Sequence, residues 1–181
     1  YCGEQDMFCF LIDPTGWIDI DGEQFAPGFF VWNSEVGRRT VGIQTFWFQQ
    51  ICQNHIVWDA VEIVDLKRKH TANVHRGLGD IQHAIHRLVA KRDARRDRFA
   101  EIVKRAMSER FDDADDALAT VMKTGVGQRL AKKAVELARQ QGRLTIFSMV
   151  DALTRLSGKI INAGDRNDVD QQVGQLLALA V

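Results

Sequence analysis

Cys52 and His55, then His70, His75, His83 and His86, are the side chains that could hold a soft divalent metal. Zn²⁺ takes four nitrogen or sulfur ligands, and Cys-x2-His followed by a histidine pair is a spacing it accepts. No Cys-x-x-Cys and no carboxylate-rich partner completes the set, and His83 and His86 stand i, i+3 beside Arg87. The reading is therefore no metal and no cofactor, with Cys52 a small buried hydrophobe. Ser34 is a nucleophile without a base at readable spacing. Asp112, Asp113, Asp115 and Asp116 are the one dense carboxylate cluster. They read as a helix N-terminus complementing its dipole rather than as a nuclease metal site. No catalytic residue is assigned, and the balance is against an enzyme.

The basic residues point to different chemistry. Lys67, Arg68, Lys69 and His70 run together, Arg76 follows, and Lys91-Arg92-x2-Arg95-Arg96-x-Arg98 makes a second dense run. One reading is a solvated helix face with Asp93 and Asp97 as partners at helical spacing. The other is phosphate binding, to which the planar guanidinium fork is suited. Cations that track a backbone beside aromatic-rich strands are what a single-strand binder uses. Single-stranded DNA is the expected partner, with Arg38, Arg39, Lys67, Arg68, Lys69, His70, Arg76, Arg92, Arg95 and Arg96 as contacts. Most of the tryptophans read as core, because their strands already alternate.

The elements that must position these residues follow from patterning. The chain has 181 residues, 45% hydrophobic and 27% charged, with zero formal net charge. Disorder, collagen and a disulfide scaffold are excluded, and no apolar run is long enough to span a bilayer. Cys2, Cys9 and Cys52 read as free thiols of a cytoplasmic protein. No signal peptide is evident ahead of Met7–Ile12, and the chain reads as beginning inside a longer protein. The neutral total hides an asymmetry: residues 1–60 carry net −6, residues 61–110 net +6 and residues 111–181 net 0. Twelve of fifteen aromatic residues lie in the first 60 positions, so the architecture changes near residue 70.

The first half, residues 1–70, reads as antiparallel β and is expected to be incomplete at its N-terminus. Phe8–Ile12 is a strand closed by Asp13-Pro14-Thr15-Gly16. Trp17–Ile20 leads into Asp21-Gly22, a hairpin signal. Phe29–Trp32 is the next strand, ended by a polar turn over Asn33–Gly37 that carries Glu35 beside Arg38 and Arg39. Residues 40–48 alternate with period two. Ile51–Val57 fits helix or strand, and Ala60–Leu66 fits a further strand.

The second half, residues 71–181, reads as α. Ile81, Ile85, Leu88, Phe99, Ile102, Val103 and Ala106 predict one long helix over Asp80–Arg110 whose apolar stripe lapses at Arg92, Arg95 and Arg96. Asp112 is the expected cap of a helix over 114–123. Gln128–Gln141 ends at Gly142, Thr145 caps Ile146–Ile161, and Asp168 or Asp170 opens a last apolar helix. The fold class is α+β, one compact unit of an antiparallel sheet packed with helices.

Gly28-Phe29-Phe30-Val31-Trp32-Asn33-Ser34-Glu35-Val36-Gly37, Val41-Gly42-Ile43, Ile51-Cys52-Gln53-Asn54 and Arg68-Lys69-His70-Thr71 together resemble the phage- and plasmid-like family called domain of unknown function 932. Thr154-Arg155 and the stretch from Arg166 to Leu177 are similar to that family's tail. Ala72 stands where many members have glycine. The resemblance implies a mobile-element context and no reaction. It marks Asn33, Ser34, Glu35, Gly37, Cys52, Asn54 and Thr71 as motif residues of unassigned role. A sheet paired with helices is also the plan of phage single-strand annealing recombinases, an analogy at the level of fold. The competing expectation is a homo-oligomer assembling through its helices without a nucleic-acid ligand.

Overall fold

Aromatic and β-branched side chains fill the first third of the chain and suit a pleated, two-sided sheet. A computed structural model describes residues 6–34, 42–50, 54–57 and 74–180. Five strands form there: β1 (Asp6–Ile12), β2 (Ile18–Ile20), β3 (Glu23–Ser34), β4 (Gly42–Gln49) and β5 (Asn54–Ile56). They make one antiparallel sheet in the order β1-β3-β4-β5, with β2 also paired to β3.

β3 is longer than its apolar core predicts. It carries β2 along its first residues and β1 along Gly28–Ser34. Pro27 falls between those two pairings, where a missing N–H costs the ladder nothing, and its carbonyl accepts from Asp13 N at 2.9 Å. Asp21 and Gly22 both have positive φ, 51° and 88°, and turn β2 into β3 as the Asp-Gly pair predicts. Asn33 and Ser34 do not form the expected turn. They extend β3, opposite Met7 and Asp6.

Six helices follow: α1 (Val74–Ala90), α2 (Arg92–Ser108), α3 (Ala114–Lys123), α4 (Gln128–Gln140), α5 (Ile146–Ser157) and α6 (Ala163–Leu177). The expected long helix is therefore divided at Lys91, whose φ and ψ are −97° and 8°. Lys91 N still donates to Arg87 O and Arg95 N to Lys91 O, at 3.1 and 3.0 Å, so the helical ladder runs across the join. Asp113, not Asp112, caps α3, accepting from the amides of Asp115 and Asp116 at 2.8 Å each. Thr145 and Ser148 form a reciprocal capping box on α5. α6 begins earlier than expected, at Asn162, whose side chain accepts from Asp165 N at 3.0 Å. Asp170 lies inside that helix and is buried.

The two halves share one core. Ile20, Phe25, Trp47 and Ile56 of the sheet pack with Phe99, Ile102 and Val103 of α2 and with α5, nearly all of which is buried. Leu176, Leu177 and Ala180 are buried too, so the apolar tail closes this core. The other face of the sheet gathers Phe8, Phe10, Phe30, Phe46 and Phe48 against Ala163. β1 and β5 stand at opposite ends of the strand order, yet Phe10 and His55 stack with centroids 4.3 Å apart. A flat sheet would hold them three strand spacings of about 4.8 Å apart. The sheet is curled, and this aromatic face is its concave side.

Candidate functional site

The structure divides the basic residues expected to meet phosphate. Arg92 is half-exposed, but its guanidinium pairs with Asp13 at 3.2 Å and reaches Thr15 Oγ1 at 3.4 Å. Asp13 is fixed by the turn it opens: its carboxylate accepts from Thr15 N at 2.9 Å and Thr15 Oγ1 at 2.8 Å. The Thr15 amide does most to hold that carboxyl below its usual range; burial opposes it, and the Thr15 hydroxyl and the Arg92 charge add to the lowering. Arg95 points inward and is only 9% exposed. Arg96 meets Asp93 at 3.3 Å and Asp97 at 3.1 Å, both on its own helix. Arg92 and Arg96, in the first turns of α2, are thus engaged by carboxylates of the same chain, most of them exposed and weakly held. Arg76 falls on α1 with its side chain outside the described residues. Arg38, Arg39, Lys67, Arg68, Lys69 and His70 also lie outside them.

A second cationic face was not singled out from the sequence. α4 buries Ala131, Ala134, Val135 and Ala138 against the core. Its opposite side carries Arg129, Lys132, Lys133 and Arg139, all exposed, with Glu136 the one acid among them. None of the four side chains makes an ion pair or hydrogen bond among the described residues. The signal was the complement of the apolar stripe: positions 129, 132, 133 and 139 share the face that 131, 134, 135 and 138 leave.

The motif residues do not assemble into a site within the described structure. Asn33 and Ser34 end β3, and Asn54 begins β5. Glu35, Gly37, Cys52 and Thr71 lie outside the described residues. Cys9 is exposed and free. His83 and His86 are exposed on α1, and no group of three or more metal-ligating side chains forms among the described residues.

His55 is instead part of the aromatic face. It stacks on Phe10 and meets Phe46 edge-on at 4.9 Å. Burial, with the Arg166 charge, pulls its imidazole down to about 4, so the ring is neutral near pH 7. Across the α5–α6 contact, Asp170 accepts from the Ser157 hydroxyl at 2.5 Å and lies 3.9 Å from Arg166 Nε. Burial pushes the Asp170 carboxyl up to about 6, although the Ser157 hydrogen bond and Arg166 both act to lower it.

A polar cleft of about 500 Å³ between the β2–β3 hairpin, α2 and α5 balances Lys104, Arg143 and Arg155 against Asp21, Glu23 and Asp151. Asp151 Oδ2 already accepts from Gln141 Nε2 at 3.1 Å and pairs with Arg155 Nε at 3.0 Å. No helix among the described residues is long and apolar enough to cross a membrane. Comparison with protein-family models, with curated proteins and with solved structures finds no match.

Proposed function

We propose that the protein is a non-enzymatic nucleic-acid-binding protein that holds single-stranded DNA by its phosphates, with the outer face of α4 as the principal contact. The observation that carries the reading is the row of Arg129, Lys132, Lys133 and Arg139, exposed and without carboxylate partners among the described residues. Four cations on one helix face can replace condensed counterions along a phosphate chain. Arg92 and Arg96 become secondary contacts, because exposed ion pairs are worth little and exchange readily for phosphate. The aromatics of the sheet strands are buried or half-buried, and Trp17, 39% exposed, is the exposed aromatic side chain among the described residues. Binding is therefore indifferent to sequence and steep in salt, with little base stacking. A mobile-element protein acting on displaced strands, as in recombination, fits this behaviour.

Fluorescence anisotropy on a single-stranded oligonucleotide, with a duplex beside it, over a salt series tests the proposal. Arg129→Gln/Lys132→Gln/Lys133→Gln is expected to weaken single-strand binding and flatten the log–log salt dependence by about two units. Arg92→Gln/Arg96→Gln is expected to do less. Absence of binding at low salt, or binding untouched by the α4 changes, rejects the proposal.

A second reading, self-assembly, is favoured by β1 rather than by the helices. The apolar faces of α4 to α6 are buried within the chain, whereas Met7 and Leu11 on β1 are 48% and 47% exposed. β3 is the one strand hydrogen-bonded to β1 among the described residues. Sedimentation at increasing concentration separates the readings: growth in mass that Met7→Lys abolishes supports assembly, and a monomer throughout rejects it.

A further inference from the structure

We propose that the polar cleft between the β2–β3 hairpin, α2 and α5 binds a small zwitterion, an acid group and an ammonium joined by a short apolar chain. The cleft holds about 500 Å³, a volume in the usual range for small-molecule sites. Asp21 and Glu23 line it from the hairpin. Lys104 lines it from α2, and Arg143 from the connection between α4 and α5. The unlike charges thus reach one cleft from different elements.

Most of the remaining polar lining is engaged within the chain. The side chains of Thr145 and Ser148 each accept from the other's amide at the start of α5. The Ser108 hydroxyl donates to Arg105 O at 2.8 Å. Asp151 accepts from Gln141 and pairs with Arg155. By contrast, Asp21, Lys104 and Arg143 are exposed, and their side chains make no ion pair or hydrogen bond among the described residues. Glu23 accepts from the neutral side-chain amide of Gln49 at 3.0 Å, which leaves its charge unpaired among the described residues.

Charge balance selects the ligand. Two cations and two acids share the cleft and do not pair with one another. An anion alone is drawn to Lys104 and Arg143 and repelled by Asp21 and Glu23, and a cation alone meets the reverse. A molecule with one charge of each sign, a few bonds apart, is attracted by both sets. The planar fork of Arg143 suits the acid group. Either pairing is worth little by itself at an exposed site, so both must form together. Met107 and Phe147 also line the cleft and give the connecting chain an apolar surface. This site shares no residue with the α4 cations and stands or falls separately from nucleic-acid binding.

Titration of the ¹⁵N-labelled full chain with 6-aminohexanoate, beside hexanoate and hexylamine, tests the proposal through the backbone amide resonances of Gly22 and Arg143. Saturable displacement of both resonances by the zwitterion at millimolar concentration is expected, with each half-ligand binding at least about tenfold more weakly. Lys104→Gln/Arg143→Gln is expected to bring the zwitterion down to the level of hexylamine. Asp21→Asn keeps a residue suited to the positive φ of that turn, and is expected to bring it toward the level of hexanoate. All three positions are exposed, so the variants are expected to fold as wild type. No displacement by the zwitterion at millimolar concentration overturns the proposal, showing charges that water alone satisfies. Hexanoate or hexylamine binding as tightly as the zwitterion, or displacement that the variants leave untouched, overturns it as well.

Discussion

The imidazole of His55 lies flat on the ring of Phe10, 4.3 Å between centroids and 8° between planes, although the two residues belong to opposite ends of the sheet. The stack closes the concave face and keeps His55 out of water, which is why its imidazole falls to about 4.

His55 and Asp170 then give opposing pH dependences. Between about 4 and the ordinary imidazole value of 6.5, the unfolded chain binds a proton at His55 that the folded chain refuses, so this group makes stability rise with pH. Between 3.8 and about 6, folded Asp170 keeps a proton that the unfolded chain has lost, so this group makes stability fall as pH rises. The two nearly cancel from about pH 4 to pH 6. Urea unfolding across that window is expected to show His55→Gln tilted downward with rising pH relative to wild type, by up to about 1.4 kcal/mol per unit. Asp170→Asn should tilt upward by a similar amount. Parallel curves for the two variants would refute the assignment.

Phe99 joins the sheet to the helices. Its ring stacks on Trp47 with centroids 4.1 Å apart and meets Phe25 edge-on at 5.3 Å, and it is fully buried. Phe99→Ala should cost about 3–5 kcal/mol, because a rigid sheet on one side and α2 on the other prevent collapse of the cavity. Phe99→Leu should cost less. Chemical denaturation followed by tryptophan fluorescence measures both.

How much of this was legible in the sequence depended on whether the determinant was local. Period-two alternation placed β4, Asp21-Gly22 placed the β2–β3 hairpin, and Thr145 placed the start of α5. Each is settled within a few neighbouring residues. β3 outran its apolar core because the gap that tolerates Pro27 is made by two other strands. Asp170 looked like a cap by residue type, but Asn162 reached the first turn of α6 and Asp170 was buried on Ser157. The α2 arginines looked open because sequence shows their density and hides their partners. Asp93 and Asp97 were visible at helical spacing, whereas Asp13 meets Arg92 only through the tertiary fold. The α4 cations were readable as the outer half of an amphipathic pattern, yet they are spread too thinly to form a run.

The Asp13–Arg92 pair should prove unequal when each side is removed. Asp13 serves the turn as well as the ion pair, accepting from the Thr15 amide and hydroxyl. Arg92 holds only the far end, at a half-exposed position. Asp13→Ala is expected to cost about 1 kcal/mol, the usual worth of a carboxylate satisfying backbone amides. Arg92→Ala should cost less than half of that, and a double-mutant cycle should give a coupling below about 1 kcal/mol that shrinks with salt.

Two glycines should respond to alanine in opposite directions. At Gly28, in the middle of β3, a Cβ would stand 2.6 Å from the Leu11 carbonyl oxygen and 2.6 Å from Phe46 Cζ. The carbonyl belongs to the neighbouring strand backbone and Phe46 is fully buried, so neither can step aside. Overpacking of this kind costs about 1–3 kcal/mol, and Gly28→Ala should also disturb the aromatic face that Phe46 anchors. At Gly79, exposed on α1, a Cβ would meet nothing within 4 Å. There the helical backbone suits alanine, and the substitution removes freedom mainly from the unfolded chain. Gly79→Ala should therefore stabilise by about 0.5–1 kcal/mol. Thermal melts of the two variants beside wild type are expected to bracket it. A Gly28→Ala protein as stable as wild type would mean that β1 can slide away from β3, and that the curl of the sheet is set elsewhere.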